Sequence, residues 1–559
     1  MVIKNQWVLV LFFIVGFLIF SNALNGDFVH DDLLVLSHSF FGQLGKIFSF
    51  FGQPYFEGFY QAGLYRPLTQ FSFGLNFLVS SSPFGFHLVN IFLHIINSFL
   101  IYLFLRKFSN RFTLSLIAAL LFLVLPIHVE AVTSIVGRAE LLFFLFGMLT
   151  LLLWLDSQYF YSAVTLVLAL LSKETAVAIP AIVFLFGWHY RRNWHWLIYY
   201  LGALVFYFIL RILVLGQYAF KTKVEFIFNP LAYVSFFERF FTALKIMILY
   251  LAKFFVPYKL SADYSYDQIP IVKSLFSSPL SLIGLVFLCL MLWRVYRILR
   301  REKSVILDWI LLFFFLPFLI VSNIIFPTGT IMAERLMYFP SFGGLMILAV
   351  ALEQLLKSSK RLGLSILLIL LAIYGLLTIS QNRVWASRET LLTDSFKKSP
   401  NSVVAKTDYG ILMFERDKEL AKKLSLEVYE KYPDYIQNLN LRGVVEVQEG
   451  DFTRAEKFLE RALELRPKHQ NTLQNLSRVY FTLGKYSETE EMLKVLVSEY
   501  GGKGNVIFYA LVQAKNNHFD QSRQTIYDFF GPDVKDESAL KILRKEFEEV
   551  EDLFIFHKQ

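Results

Sequence analysis

The sequence predicts an all-α protein in two parts, a polytopic membrane helix bundle followed by a soluble α-solenoid. Three observations predict it. Apolar runs of about 15–22 residues recur through the first two thirds of the 559-residue chain, and an α-helical span needs about 20. The charges are unevenly divided, with about 43 in residues 1–380 (roughly 11%) and about 56 in residues 381–559 (roughly 31%). From about Ser399 onward, short motifs recur every 34 residues. An average of 56% hydrophobic and 18% charged residues therefore conceals one part too apolar for water and one too polar for a bilayer. That excludes a soluble enzyme, a secreted disulfide protein and a disordered chain. Cys289 is the lone cysteine, so neither an intrachain disulfide nor a cysteine metal cluster can form. The net charge of +9 arises wholly in the apolar part, about +11 against about −2 for the rest. Basic residues confined to loops between apolar runs orient a membrane protein and are not a nucleic-acid footprint.

Twelve runs are candidates for spans, near 6–22, 87–105, 112–127, 140–155, 159–172, 175–190, 195–213, 240–256, 279–293, 305–325, 342–356 and 361–380. The first resembles a signal peptide at Ser21-Asn22-Ala23, but eleven more follow and it is read as a span. Basic clusters follow the second run (Arg106, Lys107, Arg111), the sixth (Arg191, Arg192), the ninth (Arg294, Arg297, Arg300, Arg301, Lys303) and the eleventh (Lys357, Lys360, Arg361). If all four face the cytoplasm, an even number of spans joins each pair. Three runs separate Arg192 from Arg294, and 240–256, with Lys245 and Lys253, is the poorest of them. A charge at mid-bilayer costs about 2.5–3.5 kcal/mol on insertion scales, so this run is read as interfacial or re-entrant. Eleven spans remain, with the N-terminus in the cytoplasm and the polar third outside. The expected division is a membrane part over 1–380, a linker over 381–399 and repeats over 400–559.

In the polar third, Gly450-Asp451-Phe452 recurs as Gly484-Lys485-Tyr486 and, degraded, as His518-Phe519; Ala421 and Ala455, and Pro433 and Pro467, share the 34-residue step. This is the tetratricopeptide period of helix, tight turn, helix. Units are expected at 400–433, 434–467, 468–501 and 502–535, with a capping helix over the acidic stretch Glu546–Asp552. Such arrays offer a concave face to an extended peptide or another protein.

Polar oddities gather on the predicted outer side. His30-Asp31-Asp32 follows the first span, and two adjacent carboxylates can share a metal, or one can act as a general base that the other orients. A divalent ion such as Mg2+ or Mn2+ is permitted there, not required. Tyr65-Arg66-Pro67-Leu68 sets a guanidinium beside a stiffening proline, suited to bidentate phosphate binding. His87, Asn90 and His94 share one helix face, where interhelical hydrogen bonding is an equal alternative to a site. Pro126-Ile127-His128-Val129-Glu130 breaks the third span, and Gly137-Arg138-Ala139-Glu140 opens the fourth. Ser172-Lys173-Glu174-Thr175, Asp263-Tyr264-Ser265 and Ala333-Glu334-Arg335-Leu336 complete the set; Arg335 could simply pair with Glu334. Ionisable groups at such depth are costly unless they face a polar cavity.

In this order, the acidic pair, YRPL (65–68), FHLVN (86–90), PIHVEAV (126–132), GRAELL (137–142), SKET (172–175), AERL (333–336) and the repeats resemble the membrane O-mannosyltransferases that end in tetratricopeptide repeats. The resemblance covers nearly the whole chain. It implies the C-type glycosyltransferase fold and a sugar donor carried on a polyprenyl phosphate, and mannose as the sugar comes from it alone. Animal members carry many more repeats and act in the endoplasmic reticulum; the short repeat region here is more similar to a bacterial relative in the cell inner membrane, using an undecaprenyl carrier. No Walker loop or Rossmann fingerprint appears, and a lipid-carried donor suits a site without nucleotide sugars. The expected reaction is one inverting displacement at the anomeric carbon. Asp31 takes the proton of an acceptor Ser or Thr hydroxyl, and Asp32 orients the acceptor or a metal. Arg66, Arg138 and Arg335 neutralise the leaving phosphate. His30, His87, His94, His128, Glu130, Glu140 and Glu334 support them or bind the sugar, while the repeats recruit a protein acceptor. Two rival classes are a membrane-anchored repeat scaffold, which leaves the outer charges unexplained, and a lipid or solute transporter, which more often shows repeats within its spans.

Overall fold

The computed structural model describes residues 5–36, 40–57, 60–220, 223–302 and 306–530. Among them all regular structure is helical. The chain divides into two compact units, at Met1–Ser402 and Val403–Gln559. Segment 381–399, expected as a linker, is instead helical: Lys360–Val384 runs into it and Arg388–Lys398 fills the rest. Ser387 caps that second helix by accepting from the Thr390 amide, the local signal that starts a helix.

Each of the twelve apolar runs forms a helix in the first unit. Among the described residues, seven helices are long and apolar enough to cross a membrane, and the pair Phe112–Val124 and Pro126–Val132, bent by 54°, makes an eighth if counted as one. Tyr159–Ser172, Glu174–His189 and Asp308–Val321 are shorter apolar helices. Phe236–Phe255, the run set aside for its charges, is in neither group. Its lysines reach backbone carbonyls, Lys245 donating to Pro270 at 3.2 Å and Lys253 to Lys259 at 2.7 Å.

The 54° bend has a local cause. Leu125 is extended (ψ 121°) ahead of Pro126, because proline disfavours the helical region for its predecessor and lacks an N–H to continue the ladder. The next turn packs so closely that a Cβ on Gly137 would lie 2.2 Å from the Ala131 carbonyl oxygen, so only glycine fits. A longer helix also not expected from the sequence is Pro67–Val79, inside the long first outer segment. Proline opens it, and its buried Thr69, Gln70 and Asn76 dilute the apolar pattern.

Among its described residues the second unit holds eight helices in four pairs, spanning 403–431, 436–465, 470–500 and 503–530. Gly450 (φ +80°) and Gly484 (φ +74°) occupy the left-handed position between paired helices, where glycine carries no steric penalty. In the fourth pair that position is Asn517 (φ +63°), not His518, so the last step is one residue short of 34; asparagine is the next best left-handed residue. Gly484→Ala is expected to cost about 1–2 kcal/mol and Asn517→Gly nothing, read as the protease concentration that cleaves the repeat unit of the intact protein. The expected cap at Glu546–Asp552 lies outside the described residues.

Candidate active site

A network of charged side chains links segments far apart in the first unit. Arg66 is the residue before the Pro67–Val79 helix, so proline at the first helical position fixes where its side chain leaves the backbone. Its guanidinium grips Glu174 with two bonds, Nε to Oε2 at 2.9 Å and Nη2 to Oε1 at 2.6 Å, across 108 residues, and lies over the Tyr55 ring at 5.0 Å. Glu174 begins a helical turn after the extended Lys173. Lys173 is buried and paired with the buried Glu140 at the start of the Arg138–Leu155 helix. Across 205 residues, buried Glu130 pairs with the Arg335 guanidinium and accepts the Arg335 amide at 2.8 Å. Glu130 lies in the short helix that follows the bend at Pro126. Arg335 thus pairs with Glu130, not with its neighbour Glu334.

Asp31 belongs to this network. It opens a short helix, Asp31–Leu36, after His30 in a left-handed conformation (φ +53°), and the His30 Nδ1 lies 3.1 Å from its Oδ1. Burial works against its charge, but His30 and the Arg335 and Arg66 guanidiniums prevail and hold its carboxyl well below the ordinary range. Asp31 keeps 35% of its side chain exposed, Arg335 32%, and Glu174 29%, whereas Glu130 and Glu140 are below 5%. The network therefore has an accessible rim of both signs on a buried acidic floor.

Asp32 serves the backbone. Fully buried, it accepts the Val29 amide at 3.1 Å and the Val136 amide at 2.9 Å, pinning the Asp31 turn to the start of the fourth span. The two carboxylates therefore have different partners: Asp31 lies beside His30, and Asp32 is spent on amides. Among the described residues no group of three or more His, Cys, Asp or Glu could hold a metal ion. The donor set fits a divalent cation poorly, since both Asp32 oxygens already accept backbone amides and Asp31 is left as a single carboxylate beside His30. Burial, reinforced by the Asp31 charge, pushes the Asp32 carboxyl up to about 7 against the pull of its two amides. A carboxyl raised on folding destabilises as it ionises, so this contribution is lost as pH climbs from about 4 toward 7. Amides 29 and 136 should exchange faster at pH 8 than at pH 5, after correction for intrinsic exchange. Asp32→Asn should remove that dependence.

Several expected site residues are satisfied elsewhere. Arg138 is fully buried and bonds four neutral acceptors: Asn90 Oδ1 at 2.8 Å, Asn76 Oδ1 at 3.0 Å, the Phe86 carbonyl at 3.0 Å and the Ser72 carbonyl at 3.2 Å. It also lies 4.7 Å from the Phe73 ring centroid, and this geometry corrects its expected role as a phosphate ligand. His94 bonds Tyr338 Oη at 2.7 Å and the Leu123 carbonyl at 3.1 Å; His128 bonds Ser341 Oγ at 2.7 Å and the Phe122 carbonyl at 3.0 Å. Both are interhelical ties, not sugar ligands. His87 is buried with its ring against the Gly26 backbone. Glu334 sits in a separate buried knot, accepting the Ser261 amide at 2.8 Å and the Tyr264 hydroxyl. Lys173, Glu174 and Tyr55 join the network beyond the expected site residues. The SKET string carried the first two, while nothing in the sequence marked Tyr55.

The network does two things chemically. It holds an ionised carboxylate at an accessible surface, and it sets guanidiniums with uncommitted N–H donors around it. Glu174 engages two of the five N–H groups of Arg66, and Glu130 a single side-chain nitrogen of Arg335.

Comparison with known proteins relates the chain to two families of sequence. Residues 446–506 match the tetratricopeptide repeat family model. A protein O-mannosyl-transferase of Caenorhabditis elegans is 30% identical over 442 aligned residues, 75% of this chain and 61% of the relative. Protein O-mannosyl-transferase TMTC3 of Mus musculus is 28% identical over 418 residues (66% and 45%), and TMTC1 of Homo sapiens 27% over 502 (76% and 55%). The chain spans about half to three fifths of the length of these relatives. By sequence, the chain is a homologue of the protein O-mannosyl-transferases, which are glycosyltransferases.

Proposed function

We propose that the chain transfers a sugar, mannose by its relatives' names, from a polyprenyl-phosphate carrier to a Ser or Thr hydroxyl of a protein. It does so as a multi-pass protein of the cell inner membrane, with the charged network and the repeats on the extracytoplasmic side. The observation that carries this reading is Asp31, an accessible carboxylate under the field of two arginines that are each held by a second carboxylate.

The reaction is a single displacement. The acceptor oxygen forms its bond to the anomeric carbon as its proton passes to Asp31. The bond from that carbon to the phosphate oxygen breaks, and the electron pair leaves with the polyprenyl phosphate. Arg66 and Arg335 neutralise the charge that grows there, and preorganised cations at developing charge are usually the largest catalytic contribution. Glu174 and Glu130 fix the two guanidiniums, and Lys173 with Glu140 closes the floor. The repeats recruit the acceptor protein. A scaffold would need no such network.

The test is purified protein with labelled polyprenyl-phosphate mannose and a Ser/Thr peptide. Label should appear on the peptide, and Arg66→Gln should reduce its rate by about 10²–10³-fold, the scale of losing one preorganised donor. Transfer unaffected by that change would sink the assignment of Arg66.

A further inference from the structure

Away from the charged network, helices Ala178–His189 and Trp196–Leu215 enclose an apolar cavity of about 530 Å³, within the ordinary range of small-ligand pockets, about 300–1,000 Å³. Pro180, Ala181 and Phe184 form one wall and Leu197, Leu201 and Leu204 the other. From Trp196 to Leu204 it follows eight residues of helix, about 12 Å at 1.5 Å per residue. The lining is almost wholly hydrocarbon: the Tyr200 hydroxyl is turned away to Ser162 at 2.7 Å. Phe184 and Leu201 remain 39% and 58% exposed on helices apolar enough to lie in a membrane, so the groove opens toward lipid.

A cationic turn lies close in the chain to two of the lining residues, shortly before Trp196 and directly after Leu299. The turn joining the two helices carries Arg191 and Arg192, and the Arg192 amide closes it on the Gly187 carbonyl at 3.0 Å. Trp188 Nε1 donates to the Leu299 carbonyl at 2.9 Å, which brings up Arg300 and Arg301. Arg301 returns a bond to the Trp188 carbonyl at 3.1 Å and stacks 4.5 Å from the Trp188 ring, while Arg192 lies over Trp154 at 5.8 Å. Both arginines are exposed, and neither pairs with a carboxylate among the described residues. Trp188, Trp194 and Trp196 cluster here, and such amphipathic rings settle at headgroup level. A hydrocarbon slot flanked by tryptophans and exposed guanidiniums matches one chemistry: an acyl chain below and a phosphate above.

We propose that this groove is a binding site for one anionic glycerophospholipid of the leaflet facing the arginine turn, its chain between the two helices and its phosphate on Arg192 and Arg301. The groove is distinct from the charged network, but Glu174, at the other end of the same apolar segment, holds Arg66, so the lipid would brace the helix that carries a site residue. The test is native mass spectrometry of the full-length protein in detergent with added phosphatidylglycerol or phosphatidylcholine. Wild type should retain one phosphatidylglycerol, at least tenfold over phosphatidylcholine. Leu201→Trp, filling the groove, should abolish retention, and Ala181→Phe on the opposite wall does the same work if the first variant misfolds. Arg192→Gln with Arg301→Gln should equalise the two lipids. Equal retention of both by wild type, or phosphatidylglycerol still held by the filled groove, would overturn the proposal. So would a groove that takes polyprenyl phosphate and refuses phosphatidylglycerol, which would make it the donor's tail channel.

Discussion

Asp31→Asn is expected to lower sugar transfer by about 10²–10⁴-fold, the range of a positioned general base, with membrane insertion and folding unchanged. The substitution keeps the shape and removes the charge. Asp31 is not a backbone tie like Asp32, so its loss leaves no buried amide unpartnered. A carboxyl held low is a weak base in the resting protein, but its surroundings change when the donor arrives. His30 is the strongest of the groups that depress it and Arg335 and Arg66 add to it; a donor phosphate on the arginines cancels their share of the field, and the affinity of Asp31 for a proton rises. Transfer should therefore survive mild acid until Asp31 itself is protonated. The measurement is the single-turnover rate at saturating donor, with donor binding assayed separately. Asp31→Asn should bind donor and fail to turn it over, whereas an unchanged rate would remove Asp31 from the base role.

Arg138→Leu is expected to be the most damaging single change to folding in the membrane unit, and Arg138→Lys to rescue it poorly. Four acceptors lose their donor at once. A buried polar group left unpaired costs about 1–3 kcal/mol, against total stabilities of about 5–15 kcal/mol. Lysine lacks the planar fork that reaches Asn90, Asn76 and two carbonyls together. The readout is the yield of monodisperse protein and its thermal midpoint in detergent. A phosphate ligand would behave in the opposite way, as Arg66→Gln should, with normal folding and slow transfer. Well-folded, inactive Arg138→Leu would restore Arg138 to the site.

The contrast between Arg66 and Arg138 marks where sequence reading stops. Both are arginines at the start of a helix beside an apolar run, and both signal expense in a membrane. What separates them is the partner: Glu174, 108 residues away, for one, and amides and carbonyls for the other. Pairings over such distances are set by how helices pack, and no local pattern encodes them. The same holds for His94 and His128, whose ring nitrogens are spent between helices. The helices themselves were legible because hydrophobic length is a local property, and the repeat period for the same reason. Pro67–Val79 escaped because its buried face is amide and hydroxyl as much as hydrocarbon. The proline at 126 was visible as a break, but that Glu130 beyond it pairs with Arg335 was not.

The paired arginines also bear on the end of the catalytic cycle. A glycosyl phosphodiester carries one negative charge, and the monoester left after transfer approaches two, so the spent carrier should cling to Arg66 and Arg335 more tightly than the donor did. Glu174 and Glu130 offer each guanidinium a competing anion already within reach. Departure of the carrier is then an exchange of counterions instead of the exposure of bare cations. Glu174→Gln should accordingly slow steady-state turnover more than the first turnover, leaving the enzyme loaded with its own product.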